Sequence, residues 1–218
     1  MSPRTGYPLA YPALVTIGTL AITLAWVPFA DPEQVTMLVT VALIILGYTG
    51  FRFACALGYP PAGLSGGKQG QEVAVRRVRQ QHRLVSRSWL EFTIGGKNRW
   101  LPVYFDPVLV TLTQVTAELS GRTVRIDGHR VYPSGRLRDS EPVGRLVDNP
   151  ARPDPEAIGR TGVGRRLVLD AQSAVVGPFA GLLWVYVAGG GSPAFVAAAL
   201  VAAATATWLS AVRGSDPS

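Results

Sequence analysis

The sequence predicts an α-helical membrane protein with four transmembrane helices in two hairpins, and a small β-rich cytoplasmic domain inserted between the hairpins. Three observations predict this fold class. Four apolar stretches occur as two close pairs, and the connectors within each pair are very short. Eighteen of the twenty-one Lys and Arg residues lie between the two pairs, in residues 59–172. A helix needs about 20 mostly apolar residues to cross the hydrocarbon core, so each stretch is a candidate span.

The predicted spans cover residues 9–29, 35–57, 173–188 and 193–212. The third is short, so we expect its helix to extend into the flanking glycines or the bilayer to become thinner around it. The first is too long for the apolar region of a signal peptide, which predicts a retained anchor. Neither short connector contains Lys or Arg, whereas the central segment is rich in both. Because basic loops stay on the cytoplasmic side, both termini and the central domain are predicted to be cytoplasmic at the cell membrane.

The central segment divides by its periodicity and composition. Residues 71–85 carry Val and Arg at spacings of three and four, which predicts a basic juxtamembrane helix. From residue 88 the apolar residues alternate, as at Leu90, Phe92 and Ile94, and a further strand is predicted over residues 108–112. The predicted segments are hairpin one (1–58), the linker and basic helix (59–87), the β domain (88–141), a Pro/Gly-rich basic linker (142–172), hairpin two (173–212) and a short cytoplasmic tail (213–218).

The clearest turn signal is Asp127-Gly128, which favours a two-residue β-hairpin. Counting outward from that turn predicts the pairs Ile126 with His129, Arg125 with Arg130 and Val124 with Val131. The apolar pairs and His129 then share one face, and the two arginines share the other. Several such short strands in about fifty residues predict a small barrel of the SH3 or OB kind.

The arginines of the central segment are the candidate binding surface. An anionic leaflet attracts such a segment by about 1 kcal/mol per basic residue near the surface. The alternative is a solvated face that only follows the positive-inside rule. The residues predicted to face anionic lipid or an acidic partner are Arg76, Arg77, Arg79, Arg83, Arg87, Arg125, Arg130, Arg165 and Arg166.

Small residues on spans three and four predict close helix packing. Gly177 and Gly181 form a Gly-x-x-x-Gly pair, and Ala198 and Ala202 are spaced in the same way. Small residues four apart let helix backbones approach closely in lipid. Two interpretations stay open: the two spans pack on each other, or this face docks a partner subunit.

The sequence also excludes several function classes. The predicted spans hold no Asp, Glu, Lys or His, and Arg52 near the end of span two is the exception, which argues against ion-coupled transport. Cys55 is the only cysteine, and with two histidines it makes no closed zinc site. Residues 159–166 have Gly-x4-Gly spacing but lack the Lys-Ser/Thr of a nucleotide loop. We therefore predict no catalytic residue, metal, cofactor or small-molecule substrate, and no nucleic-acid binding, because the aromatic residues are needed for the β core.

Three short motifs carry a family resemblance. They are Gly6-Tyr7-Pro8 before span one, Leu-Gly-Tyr-Thr-Gly at residues 46–50, and Arg-Trp-Leu-Pro-Val-Tyr-Phe-Asp-Pro at residues 99–107. With them the chain resembles multi-pass membrane proteins of actinobacteria, and in layout it is similar to the LucB-like accessory subunits of the mycobacterial Mce lipid-uptake system. The resemblance implies a non-catalytic helper bound to a lipid transporter.

Three functional hypotheses follow. The first is a structural or regulatory subunit of a larger membrane complex, with membrane lipids and a protein subunit as its partners. The second is a membrane-surface enzyme that acts on lipid near Arg125, Arg130 and His129. The third is a membrane-anchored sensor whose β domain binds an anionic ligand.

Overall fold

The computed structural model describes residues 7–59, 71–82, 85–112, 114–120, 123–149, 159 and 161–218. The chain divides into two compact units. The helical unit comprises Ala10–Phe51 and Leu167–Val212, and the β unit comprises Met1–Leu9, Arg52–Arg166 and Arg213–Ser218. Each unit is described by itself below.

The described residues contain four helical stretches that are long and apolar enough to cross a membrane: Ala10–Phe29, Pro32–Leu57, Val163–Ala188 and Gly191–Val212. Their helices are α1 (Ala10–Leu24), α2 (Pro32–Leu57), α3 (Val163–Asp170), α4 (Val176–Ala188) and α5 (Gly191–Val212). Short 3-10 turns over Val27–Phe29 and Ala171–Val175 extend α1 and join α3 to α4. The four predicted spans are thus found as apolar helices, as expected of a membrane protein.

The third stretch begins earlier than predicted. The sequence pattern assigned residues 163–172 to a linker, but α3 occupies Val163–Asp170. Good helix formers such as Arg165 and Leu167 follow the glycines that obscured this start. The longer helix also brings Asp170 into the candidate span, whereas the predicted span contained no acidic residue.

The helical unit packs through a small core of Tyr11, Val15, Ile45, Trp208, Ala211 and Val212. Hydroxyl groups add hydrogen bonds between helices: the Trp208 indole N–H donates to Thr49 Oγ1 at 3.0 Å, and Thr19 donates to the Ala204 carbonyl at 3.2 Å. Many large apolar side chains, such as Phe179 and Leu183, are left exposed. Water disfavours such a surface, whereas lipid accepts it.

The β unit is an antiparallel half-barrel sheet. Its strands are β1 (Gln71–His82), β2 (Val85–Ile94), β3 (Lys97–Val103), β4 (Gln114–Ser120), β5 (Thr123–Ile126), β6 (His129–Val131) and β7 (Arg145–Asp148). The order is β3-β2-β1-β4-β5-β6, and β7 pairs with the second half of β1. The chain after β6 covers the β3 edge: Trp100 and Arg138 exchange backbone hydrogen bonds of 2.9 and 2.8 Å. A β-rich domain is therefore confirmed, and its assignment to the SH3 or OB kind stays a prediction.

Two local predictions in this unit are wrong. Within the predicted basic helix, residues 71–82 form strand β1 and Val85 begins β2. The alternating valines Val73 and Val75 of β1 enter the core, and pairing with β2 and β4 outweighs the weak helical spacing. The predicted strand over residues 108–112 is a 3-10 helix, Pro107–Thr111. Asp106 caps it by accepting the Val108 N–H at 3.0 Å, and Pro107 supplies the fixed φ of a first turn.

The predicted β5–β6 hairpin is confirmed in register. Val124 pairs with Val131, Arg125 with Arg130 and Ile126 with His129. Asp127 adopts φ 48° and Gly128 φ 77° in the connecting turn. Val124, Ile126 and Val131 are buried, so the apolar face lies inward as expected.

Candidate functional site

The inner face of β1 changes from apolar to charged along its length. Val73 and Val75 belong to the core, and the next two residues on the same face are Arg77 and Arg79. Residues that pair directly on adjacent strands lie on the same face of the sheet. Ser88 of β2 pairs with Arg79, and both Ser86 of β2 and Arg145 of β7 pair with Gln81, so all three lie on this face. We call this group the polar end of the sheet: Arg77, Arg79, Ser86, Ser88 and Arg145.

Arg77 is buried and fully engaged. It is 3 % exposed, as is Asp216. Its Nη2 donates to Asp216 Oδ2 at 2.6 Å and to Ser218 Oγ at 2.7 Å. Nη1 donates to Asn149 Oδ1 at 2.9 Å and to the Leu109 carbonyl at 3.4 Å, and Nε donates to Ser88 Oγ at 3.2 Å. A guanidinium in the position of a core residue is stabilised by this complete set of acceptors.

The counter-charge comes from the segment Arg213–Ser218, which we call the tail. Its Ser215 forms a bridge with Arg87, and the Asp216 N–H donates to the Ser86 carbonyl at 3.0 Å. The tail thus extends the sheet beside β2, beyond the end of β3. Gly214 adopts φ +86°, and a Cβ there would lie 2.9 Å from Ser134 Cβ, so the approach requires glycine.

A second arginine supports the tail. Arg166 is buried, and its Nε donates to Ser215 Oγ at 3.1 Å. Its guanidinium lies 5.7 Å from the centroid of the Phe105 ring, and that of Arg77 lies 6.0 Å from the same centroid. Two cations therefore stack on one aromatic side chain.

The ionisation of Asp216 follows from this setting. Burial alone would raise the pKa of its carboxyl group. The nearby Arg77 and the hydrogen bonds from Ser218 and Ser88 outweigh burial, and the pKa is lowered from its usual range. Asp216 is therefore a carboxylate at neutral pH, and it matches one positive charge.

The polar end nevertheless carries more positive charge than Asp216 balances. Burial lowers the pKa of the Arg79 guanidinium. The negative charge of Asp216 raises this pKa, and the positive charges of three arginines lower it further: Arg77, Arg165 and Arg145. Both Asp216 oxygens are already used, Oδ2 by Arg77 and Ser88 and Oδ1 by Ser218. Within the described residues, Arg79 Nε and Ser86 Oγ are buried and have no hydrogen-bond partner. An oxyanion would accept hydrogen bonds from both donors.

Only some of the arginines predicted to form a binding surface are exposed. Arg77 and Arg166 are buried in the network above, so we withdraw them from it. Arg76, Arg125 and Arg165 are exposed, and Arg79, Arg87 and Arg130 are half-buried. Arg76 pairs with Glu91 at 2.6 Å and with Asp148 at 3.5 Å. Arg83 lies outside the described residues. For the arginines that stay at or near the surface, binding to lipid or to a partner stays a prediction.

Both arginines of the β5–β6 hairpin lie next to other residues of the β unit. Arg125 lies between Arg130 and Glu118, so an opposite charge offsets the like-charge pair. The Arg130 guanidinium lies 5.0 Å from the Tyr132 ring centroid and donates to the Leu57 carbonyl at 3.0 Å. His129 is half-buried opposite Ile126.

The small residues of spans three and four pack on each other, as the first interpretation had it. A Cβ added at Gly177 would lie 2.6 Å from the Ala199 carbonyl oxygen and 2.9 Å from Ala203 Cβ. At Gly181 it would lie 2.8 Å from the Phe195 carbonyl oxygen. The partner alanines are therefore Ala199 and Ala203, one position along the helix from the predicted Ala198 and Ala202.

One buried acid lies in the helical unit. Asp170 Oδ2 accepts a hydrogen bond of 2.6 Å from the Tyr11 hydroxyl. Together with the hydroxyl contacts of Thr16 and Thr49, at 3.4 Å, it shows that hydrogen bonds as well as small-residue contacts join these helices.

Sequence reasoning missed Asp216, Ser86, Ser88 and Arg145 as parts of the site. The available signal was the alternation of β1. Once residues 71–82 are taken as a strand, Arg77 and Arg79 fall on the core face and require a counter-charge. Nothing in the local pattern of the tail shows that it supplies one.

Within the part of the chain that the structure describes, no group of three or more His, Cys, Asp or Glu residues is arranged to hold a metal ion. Comparison with protein-family models, with curated proteins and with solved structures finds no match to this chain.

Proposed function

We propose that this chain is a non-catalytic accessory or scaffold subunit of a larger membrane complex. Its apolar helices anchor it in the cell membrane, and its basic β unit lies on the cytoplasmic side against anionic lipid headgroups. The observation that carries the proposal is the surplus of guanidinium groups at the polar end of the sheet. Such a surplus favours a negatively charged surface or ligand. The resemblance noted above suggests a lipid transporter as the complex.

The borders of the β unit support the proposed sidedness. The chain passes between the two units at four borders, and at three of them the β-unit residue is an arginine, whereas at the first it is Leu9. The three arginines are Arg52, Arg166 and Arg213. Basic residues next to apolar helices are retained in the cytoplasm during insertion. The connectors at the opposite helix ends carry no Lys or Arg.

Cysteine labelling tests the sidedness. In a Cys55→Ala background, which removes the only native thiol, Lys97→Cys places a thiol at an exposed position in the β unit. We expect a membrane-impermeant maleimide to modify it only after the cells are permeabilised. Glu33→Cys, in the first turn of α2 next to the first connector, is the matched control and should be labelled in intact cells. Labelling of position 97 in intact cells would invert the proposed orientation.

Co-purification tests the proposal of a complex. The tagged protein, extracted from its native membrane in a mild nonionic detergent, is expected to carry the same membrane proteins in repeated preparations. Mass spectrometry identifies them, and the Gly177→Ala variant shows whether a disturbed α4–α5 contact releases them. Repeated recovery of the chain alone would contradict the proposal.

A further inference from the structure

The polar end contains two donors that no described residue satisfies. Arg79 lies on the inner face of β1, and its diagonal neighbours on that face are Ser86 of β2 and Arg145 of β7, both opposite Gln81. Diagonal residues on adjacent strands have Cα atoms about 7–8 Å apart, within reach of long side chains. Arg79 Nε and Ser86 Oγ are buried without hydrogen-bond partners among the described residues.

Apart from Asp216, the charged residues of this cluster are all positive. Arg165, exposed near the start of α3, is close enough to Arg79 to disfavour its charged form, as is Arg145. The carboxylate of Asp216 is taken up by Arg77, Ser88 and Ser218. Asp148 of β7 lies opposite Val78, on the other face, where it bonds to Arg76. Among the described residues, no second carboxylate offsets this cluster on the inner face.

We propose that Arg79, Arg145 and Ser86 form a binding site for a phosphate group, with Arg165 as an additional nearby positive charge. The inference deepens the proposed function, on which it rests, by naming the chemical group that the basic β unit recognises. Guanidinium forks match the oxygens of phosphate in bidentate geometry. A phosphate has enough acceptor oxygens for several guanidinium groups and a serine hydroxyl, whereas one carboxylate does not. The phosphate belongs either to a lipid headgroup or to a soluble phosphorylated molecule.

The test uses the full-length protein in dodecyl maltoside, which contains no phosphate. Inorganic phosphate and dihexanoyl phosphatidic acid are titrated separately at ionic strength matched with sodium chloride, and the thermal unfolding midpoint is followed by tryptophan fluorescence. We expect at least one of the two ligands to raise the midpoint of the wild type, and Arg79→Gln and Arg145→Gln to weaken the apparent affinity by roughly tenfold or more. Lys97→Gln removes an exposed cation at the other end of β2 from Ser86, so it is the matched control and should respond as the wild type does.

The outcomes separate the sources of phosphate. A shift with phosphatidic acid alone assigns the site to a lipid headgroup, and a shift with inorganic phosphate assigns it to a soluble phosphate. Equal responses of wild type and Arg145→Gln, or no response to either ligand, would overturn the site. Arg145 is exposed, so its variant is expected to fold even if Arg79→Gln does not. A lost site with intact co-purification would leave the proposed subunit role standing.

Discussion

The helical unit and the β unit hold their segments together by different kinds of contact. In the helical unit, α4 and α5 approach through Gly177 and Gly181, where no side chain intervenes. In the β unit, the tail is held by an ion pair between Arg77 and Asp216, residues 139 positions apart. Lipid offers no hydrophobic drive between helices, so contact area and hydroxyl hydrogen bonds must supply it. In the β unit an apolar core exists, and one buried charge pair selects which segment completes it.

Because of this difference, the two units should be sensitive to different kinds of substitution. Close packing is lost when volume is added, whereas a charge pair is lost when one partner is removed. A buried pair that loses one member leaves an uncompensated charge, which costs more than the pair itself contributes. The following changes separate the two kinds of contact, from the largest expected effect to the smallest.

Removal of the counter-charge is expected to have the largest effect. Asp216→Ala leaves Arg77 buried and unpaired, which should lower the stability of the β unit by about 3–5 kcal/mol. Chemical unfolding of the full-length protein, followed by tryptophan fluorescence, measures the change. The double variant Arg77→Met/Asp216→Leu should recover most of the loss, because neither charge then remains. A double variant as unstable as the single one would show that the tail does not depend on this pair.

Added volume at the glycine contact should come next. Gly177→Ala places a methyl group against the Ala199 carbonyl oxygen and Ala203 Cβ, and it is expected to cost about 1–3 kcal/mol of helix association. Thermal unfolding in detergent measures it. Gly47→Ala is the matched control, since a Cβ there meets nothing within 4 Å. Equal effects at both positions would contradict the contact between α4 and α5.

Lowering the pH should weaken the ion pair between Arg77 and Asp216. The pKa of Asp216 is lowered in the folded state from an unfolded value of about 3.9. Its contribution is thus fully present above that value and is lost as the pH falls through the folded pKa. The stability difference between wild type and Asp216→Asn should therefore shrink on acidification below about pH 4. A difference independent of pH would show that the charge of Asp216 does not stabilise the fold.

The smallest effect is expected at the outer face of the hairpin. Arg125 is exposed and lies between one like and one opposite charge, so Arg125→Ala should change stability by less than about 0.5 kcal/mol. Arg130→Ala should cost more, because its hydrogen bond to the Leu57 carbonyl and its contact with the Tyr132 ring are lost. Thermal unfolding of the two variants side by side measures the difference. A larger loss at Arg125 would reverse this assignment.

The predictable parts of the molecule are those with local signals. Each apolar run long enough to cross a membrane forms a helix, and Asp127-Gly128 sets the register of β5 and β6 as the turn rule requires. The β1 segment was misassigned because its arginines break the alternation that Val73 and Val75 begin. Arg77 could be recognised as inward-facing only if its acceptors were known. They include Ser88 on the neighbouring strand and, much further along the chain, Asn149 and Asp216.

By itself, the sequence determined the four apolar helices, the basic central segment and the β5–β6 hairpin. The signals for these features are span length, charge bias and turn chemistry, and each acts over a few neighbouring residues. Only the tertiary structure decided that Arg77 is buried, that Asp216 of the tail neutralises it, and that Gly177 faces Ala199 and Ala203. These contacts join residues far apart in the chain, and their energies depend on burial, which no local pattern specifies.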